Sequence, residues 1–336
     1  MPQPPAIKHR KVWSFTLVEL LVAITIFLLV AGVLSSITNS SSNVWQQGIA
    51  HADRRASALA VFDRITRDLR QAAQPTDYSG PRLQMVITGS GSTLVSGTYL
   101  NPQAMFWQSA VATDTSAGSG YGYKGNLAIV GYFVQWIGTT PKLCRLLVNP
   151  SSTDYAVYNG GTLPSPWLSS SLLSTYAPAT QTAAYQGQLA ENVLGFWAQA
   201  LDQTLKPITR TAATSGTFSP GQFDSTKGYI YTSASAYTSG TITSGTMKYV
   251  GDSSVLAMPS PSPSAAGGGS LPASIEIAIV TVDSRTALKL SGAEKPASPT
   301  GNLWTDVNTF YNSLPVAIKK GAEIHSTIIN LPDAPR

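Results

Sequence analysis

With one cysteine, Cys144, the chain cannot form an intramolecular disulfide, so any part of it outside a reducing compartment is held by burial and hydrogen bonds alone. Histidine is almost as scarce: beyond the N-terminal apolar run only His51 and His325 occur, which with the single thiol fall short of a four-ligand zinc cluster and leave few partners for Cys–His catalysis. No G-x-S-x-G elbow occurs. Asp252, Asp283 and Asp333 lack the spacing of a calcium loop. The expectation is a non-enzyme without catalytic residues, cofactor or metal.

Charge is also thin. Charged residues make up 12% of the chain, with a formal net charge of +5. Lys8, Arg10 and Lys11 at the amino terminus carry three of those charges. What remains has no clustered basic face, so nucleic acid is not an expected partner. From Phe15 to Leu34 the only charge is Glu19, and after Lys11 no Lys or Arg appears until Arg54.

That charge-poor stretch is the longest apolar run in the sequence: Ser14 to Gly32 reads SFTLVELLVAITIFLLVAG. About 20 apolar residues rising 1.5 Å each span a ~30 Å hydrocarbon core. Basic residues before the run and none soon after it predict a single pass with a cytoplasmic amino terminus. The run exceeds the 7–15 apolar residues typical of a secretory signal, and Ala31-Gly32 is a mediocre cut site. A carboxylate inside such a segment costs several kcal/mol unless paired, so Glu19 calls for a partner.

Phe15-Thr16-Leu17-Val18-Glu19-Leu20-Leu21-Val22 resembles the signature of type IV pilins and of the pseudopilins of type II secretion systems. The resemblance implies cleavage by a prepilin peptidase between Ser14 and Phe15 and N-methylation of Phe15. It also implies that Glu19 pairs with the terminal amine of a neighbouring subunit during assembly. Ser14 stands where the family has glycine. Weaker likenesses follow in Tyr132–Arg145, Glu191–Phe196 and Leu271–Ile277, which are similar to strands of the J-type minor pseudopilins. The Ser/Thr-rich insertions resemble those of the pilin-like cassette proteins of Verrucomicrobia.

Beyond the apolar run, Ser35–Asn43 is rich in poor helix formers and predicts a soft place in the helix. Helical spacing then returns. Ile49, Ala52, Ala56, Leu59, Phe62, Ile65, Leu69 and Ala72 recur at steps of three and four, which predicts an amphipathic helix ending near Pro75. Asp53, Arg54, Asp63, Arg64, Arg67, Asp68 and Arg70 fall largely off that stripe and are expected on a solvated face, with Asp63–Arg67 and Arg64–Asp68 four apart.

The rest reads as strands set among long Ser/Thr/Gly/Pro-rich stretches, at 86–120, 149–190, 209–246 and 258–272. Strands are expected at 127–137 and 143–148, joined as a hairpin through Gly138, and at 193–201, 275–282 and 326–331. Leu303, Val307, Phe310 and Leu314 predict a short helix over 302–314. Trp136 and Trp197 are expected in the core. Gly120–Gly125 fits G-x-G-x-x-G only formally, because no strand is predicted before it and no helix after.

The expected fold is α+β and pilin-like: a long N-terminal helix packed on an antiparallel β-sheet domain. Its parts are a basic leader (1–14), a transmembrane and assembly helix (15–36), an amphipathic stalk (37–75) and an extracytoplasmic β-rich domain (76–336). The functional expectation is a minor pseudopilin of the inner membrane, its domain periplasmic or extracellular. Expected partners are other pilin-like subunits, a prepilin peptidase and, at the loops, secreted proteins. The alternative is a membrane-anchored binding module that recognises a polymer or secreted protein.

Overall fold

The computed structural model describes residues 16–73, 85–89, 101–110, 127–150, 152, 155, 186–202, 204–208, 210–211, 223–225, 229–230 and 271–331. It divides the chain into two units, 1–53 and 54–336. The first described element, α1 (Leu17–Leu69), is a continuous helix of 53 residues. Ser35–Asn43 stays helical within it, so the expected soft place is not a break, and the helix ends at Leu69 rather than near Pro75. The chain just beyond it is tied to the sheet: Ala73 N donates to Gln108 O at 2.8 Å and Ala110 N to Gln71 O at 3.1 Å.

In the second unit, the described residues form three antiparallel sheets. The largest has the order β5-β4-β3-β2-β1-β8, built from β1 (Val86–Ile87), β2 (Ala104–Ser109), β3 (Ala128–Ile137), β4 (Thr140–Val148), β5 (Gln186–Glu191) and β8 (Phe223–Asp224). A smaller sheet has the order β11-β10-β6, with β6 (Val193–Leu201), β10 (Ser274–Val282) and β11 (Ala322–Asn330). Two short strands, β7 (Arg210–Thr211) and β9 (Tyr229–Ile230), pair with each other.

The local rules are visible strand by strand. In β3 every residue but Ile137 is buried, which is why it reads as a near-continuous apolar run, interrupted by Gln135, rather than an alternating one. Ile137 pairs with Thr140, leaving Gly138-Thr139 as a two-residue turn in which Gly138 takes φ +62° at no steric cost. Gly131, also in β3, lies so close to the Phe106 ring that a Cβ there would stand 2.3 Å from it. Phe106 and Phe133 stack at 6.3 Å between centroids.

The core joins α1 to both large sheets. Ala58, Val61, Phe62, Ile65 and Leu69 of the helix meet Trp107, Val130, Val134, Trp197 and Ile277, among others. Each large side chain so buried contributes ~1.5–3 kcal/mol. Trp136 and Trp197 lie in this core as expected, with Trp136 Nε1 donating to Leu194 O at 3.2 Å. Three short helices precede β11: α2 (Ser284–Ala287), α3 (Leu303–Ser313) and α4 (Val316–Lys319). Asn302 caps α3 by accepting from Thr305 N at 2.9 Å, and Phe310 packs on Trp197 at 5.4 Å.

Three stretches expected to be loops contain strands, the short β7, β8 and β9 all falling in 209–246. β1 and β2 fall in 86–120, and β5 lies at the end of 149–190. In β2 the sequence AMFWQS carries Gln108 and Ser109 among its apolar residues, so its polarity hides a fully buried strand. The turn at 138–142 is shorter than expected because Thr140, Pro141 and Lys142 join β4.

Candidate functional site

The site expected at the amino terminus begins with Ser14 and Phe15, which lie outside the described residues. Glu19 is the third residue of α1. Its amide donates to Thr16 Oγ1 at 3.3 Å, and its Oε2 accepts from Thr16 N at 3.4 Å and from Thr16 Oγ1 at 3.3 Å. This is the reciprocal capping arrangement in which a Thr before a helix and a Glu three positions on satisfy otherwise unpartnered amides. The carboxylate also stands at the positive end of the helix dipole. The T-x-x-E spacing that signals it was present in the sequence beside the charge anomaly.

Downstream, the apolar stretch of α1 is not buried within the chain. Among the described residues, one helix is thus long and apolar enough to cross a membrane. The stalk portion differs from expectation. Its buried positions are Ala58, Val61, Phe62, Ile65, Asp68 and Leu69, whereas Leu59 is 61% exposed and Ile49 48%. The expected stripe changes sides, because the successive steps of three from Ala56 through Leu59 and Phe62 to Ile65 carry it about half a turn around the helix. Ala56 and Leu59 consequently face away from the sheets. The same spacing of three and four continues back through Ala52 and Ile49 to Trp45, which is 71% exposed.

Asp68 corrects the expectation of a wholly solvated charged face. It is 1% exposed. A carboxylate buried in this way must be paired, and Asp68 Oδ2 accepts from Arg145 Nε of β4 at 2.6 Å and from Tyr132 Oη of β3 at 2.7 Å. Arg64 Nε is 3.6 Å from the other oxygen. Ser109 Oγ of β2 donates to the main-chain carbonyls of Asp68 at 3.1 Å and Gln71 at 2.9 Å. Burial first, then the charge of Asp68 and the hydrogen bond to it, push the Tyr132 phenol far above its ordinary range. For Arg145 burial works downward, but hydrogen bonding to Asp68, the neighbouring Tyr132 phenol and the charge of Asp68 outweigh it and raise the pKa.

A second polar attachment lies at Arg54, which also leaves the expected solvated face. Its Nη1 is 3.4 Å from Asp283 Oδ2 and its Nε is 3.4 Å from Glu323 Oε2. Asp283 additionally caps α2, accepting from Thr286 N at 2.7 Å. His325 lies within β11, not before a strand, with Nε2 3.1 Å from Thr281 Oγ1. Cys144 is buried, and that burial pushes its thiol up to about 12. Asp252, Asp333 and Gly120–Gly125 lie outside the described residues. Among the described residues no group of three or more His, Cys, Asp or Glu is placed to hold a metal ion.

The structure therefore separates the polar features. Glu19 caps the apolar end of α1, while Asp68 and Arg54 anchor its other end to the sheets. Sequence reasoning missed the roles of Asp68, Tyr132 and Arg145. The available signal was a carboxylate between Ile65 and Leu69 at the spacing of the buried stripe. Comparison with known proteins adds no relative: no family model, curated protein or solved structure matches the chain.

Proposed function

We propose that the chain is a pilin-like structural subunit, a minor pseudopilin, anchored in the inner membrane by α1 with its β domain periplasmic or extracellular. The reading rests on one observation: the Phe15–Val22 signature places Glu19 at the start of a helix whose apolar length makes no contact that buries it. Cleavage before Phe15 would create an amine, and a neighbour's amine would meet Glu19 with mutual neutralisation where either charge alone is expensive in lipid. The exposed stripe of Trp45, Ile49, Ala52, Ala56 and Leu59 supports the same reading, since it offers helix surface to other pilin-like subunits. A prepilin peptidase is the implied processing partner, and secreted proteins are the implied cargo.

The Thr16–Glu19 cap favours a second reading, in which Glu19 serves its own helix and the chain is a membrane-anchored binding module. Glu19→Gln separates the two, because Gln at that position still completes the cap but carries no charge. Loss of crosslinking between Glu19→Gln and partner subunits in membranes, with insertion intact, supports assembly through the carboxylate. Normal crosslinking of both Glu19→Gln and Glu19→Ala rejects it.

A further inference from the structure

The buried cluster at the end of α1 carries a desolvation cost and leaves one donor unmatched. Asp68 occupies a position in the apolar stripe where leucine would pack, and Arg145 Nη2 is buried without a hydrogen-bond partner. Replacing a buried ion pair by apolar residues of similar volume is often neutral or stabilising. Its best-attested use is to fix register between packed elements.

We infer that Asp68, held by Arg145 and Tyr132, is a positioning residue that locks the rotation and register of α1 on the sheet and so sets which helix face points outward. The sequence around it supports this. One turn either way along the chain stand Arg64 or Ile65 and Gln71 or Ala72, and none offers a carboxylate to Arg145. A slip that brought Arg64 to Arg145 would oppose two cations. Apolar contacts discriminate less, because Ala58, Val61, Phe62, Ile65 and Leu69 repeat at helical spacing and a one-turn shift sets one against another's pocket; the main-chain bonds to β2 lie beyond the helix, at Gln71 and Ala73, and Arg54 is about four turns away. With the lock in place, Ala56 and Leu59 are directed away from the sheets. The consequence for subunit contacts rests on the assembly reading above, while the lock itself is a property of one chain.

The test uses the full chain in nanodiscs, spin-labelled at Leu59→Cys and Leu288→Cys, both exposed sites of the second unit, with native Cys144 buried. Double electron–electron resonance reads the distance between the helix and α2. The parent protein is expected to give one narrow distance. In the Asp68→Leu/Arg145→Met double variant the thermal midpoint is expected to hold or rise, while the distance broadens or gains a population shifted by as much as one helical turn, ~5 Å. A double variant with the parent's narrow distance overturns the lock. So does one that no longer folds, since the cluster would then be ordinary stabilising packing. Tyr132→Phe, which leaves the ion pair, is expected to keep the narrow distance. Because both labels lie in one chain, failure of the lock is distinguishable from failure of assembly. The latter is read separately as absent crosslinking from a single Leu59→Cys variant in the unaltered background.

Discussion

The Arg54 guanidinium reaches Asp283 at 3.4 Å across 229 positions of sequence. Both side chains are mostly buried, and Glu323 completes the contact from β11. Removing Arg54 takes away the guanidinium that Asp283 and Glu323 share. Arg54→Ala is expected to destabilise the domain by about 1–3 kcal/mol, read by denaturant titration of tryptophan fluorescence. Asp283→Ala is expected to cost more than Asp283→Asn, because only alanine also abolishes the cap on Thr286 N. Equal losses in those two variants would contradict the capping role.

Leu59 gives the converse case. Being exposed, Leu59→Asp is expected to change domain stability by less than about 0.5 kcal/mol. On the assembly reading, the same substitution reduces crosslinking to partner subunits several-fold. A variant that assembles normally would remove the exposed stripe from the proposed contact surface.

High pH is expected to unfold the domain through Cys144 and Tyr132. A folded-state thiol at about 12 stays protonated where the unfolded chain's thiol, near 9, has lost its proton. Between those values the native state binds more protons, so stability is complete below pH ~9 and falls as pH rises toward 12. Tyr132, raised in the same direction, adds to the loss above pH ~10. Cys144→Ala is expected to flatten the first part of the decline. At pH 8 the native thiol is expected to resist alkylation that is rapid in denaturant.

Gly131→Ala places a methyl group in the Phe106 ring. Overpacking of this kind costs ~1–3 kcal/mol. Phe106→Leu should recover part of it, and a double-mutant cycle on thermal melts measures the coupling.

The strands at 128–137, 193–201 and 274–282 were legible because they are long apolar runs bounded by turn residues. α3 was legible from Leu303, Val307 and Phe310. β2 was not, since Gln108 and Ser109 make AMFWQS look like part of the polar stretch around it, and only pairing with β3 explains their burial. Helical spacing placed Phe62, Ile65 and Leu69 correctly, but spacing alone does not say on which side of a helix its neighbours lie. Asp68 and Arg54 were assigned to solvent by residue type. Their partners come from β3, β4, α2's cap and β11, contacts that no local window contains. At Glu19 the unusual charge was legible, and so was the Thr three residues before it, but the charge drew the reading toward a neighbour.

The wide sequence separation of Arg54 from Asp283 and Glu323 has a consequence for biogenesis. A ribosome adding ~5–20 residues per second needs roughly 10–50 s to travel the 229 positions from Arg54 to Asp283. During that interval α1 forms from local contacts and can enter a membrane, but Arg54 has neither of its acceptors. The helix is therefore made first and its Arg54 attachment secured last, well after Asp68 can meet Arg145, and a chain truncated within β10 would emerge with Arg54 uncovered. Such a nascent species is the one most in need of a chaperone.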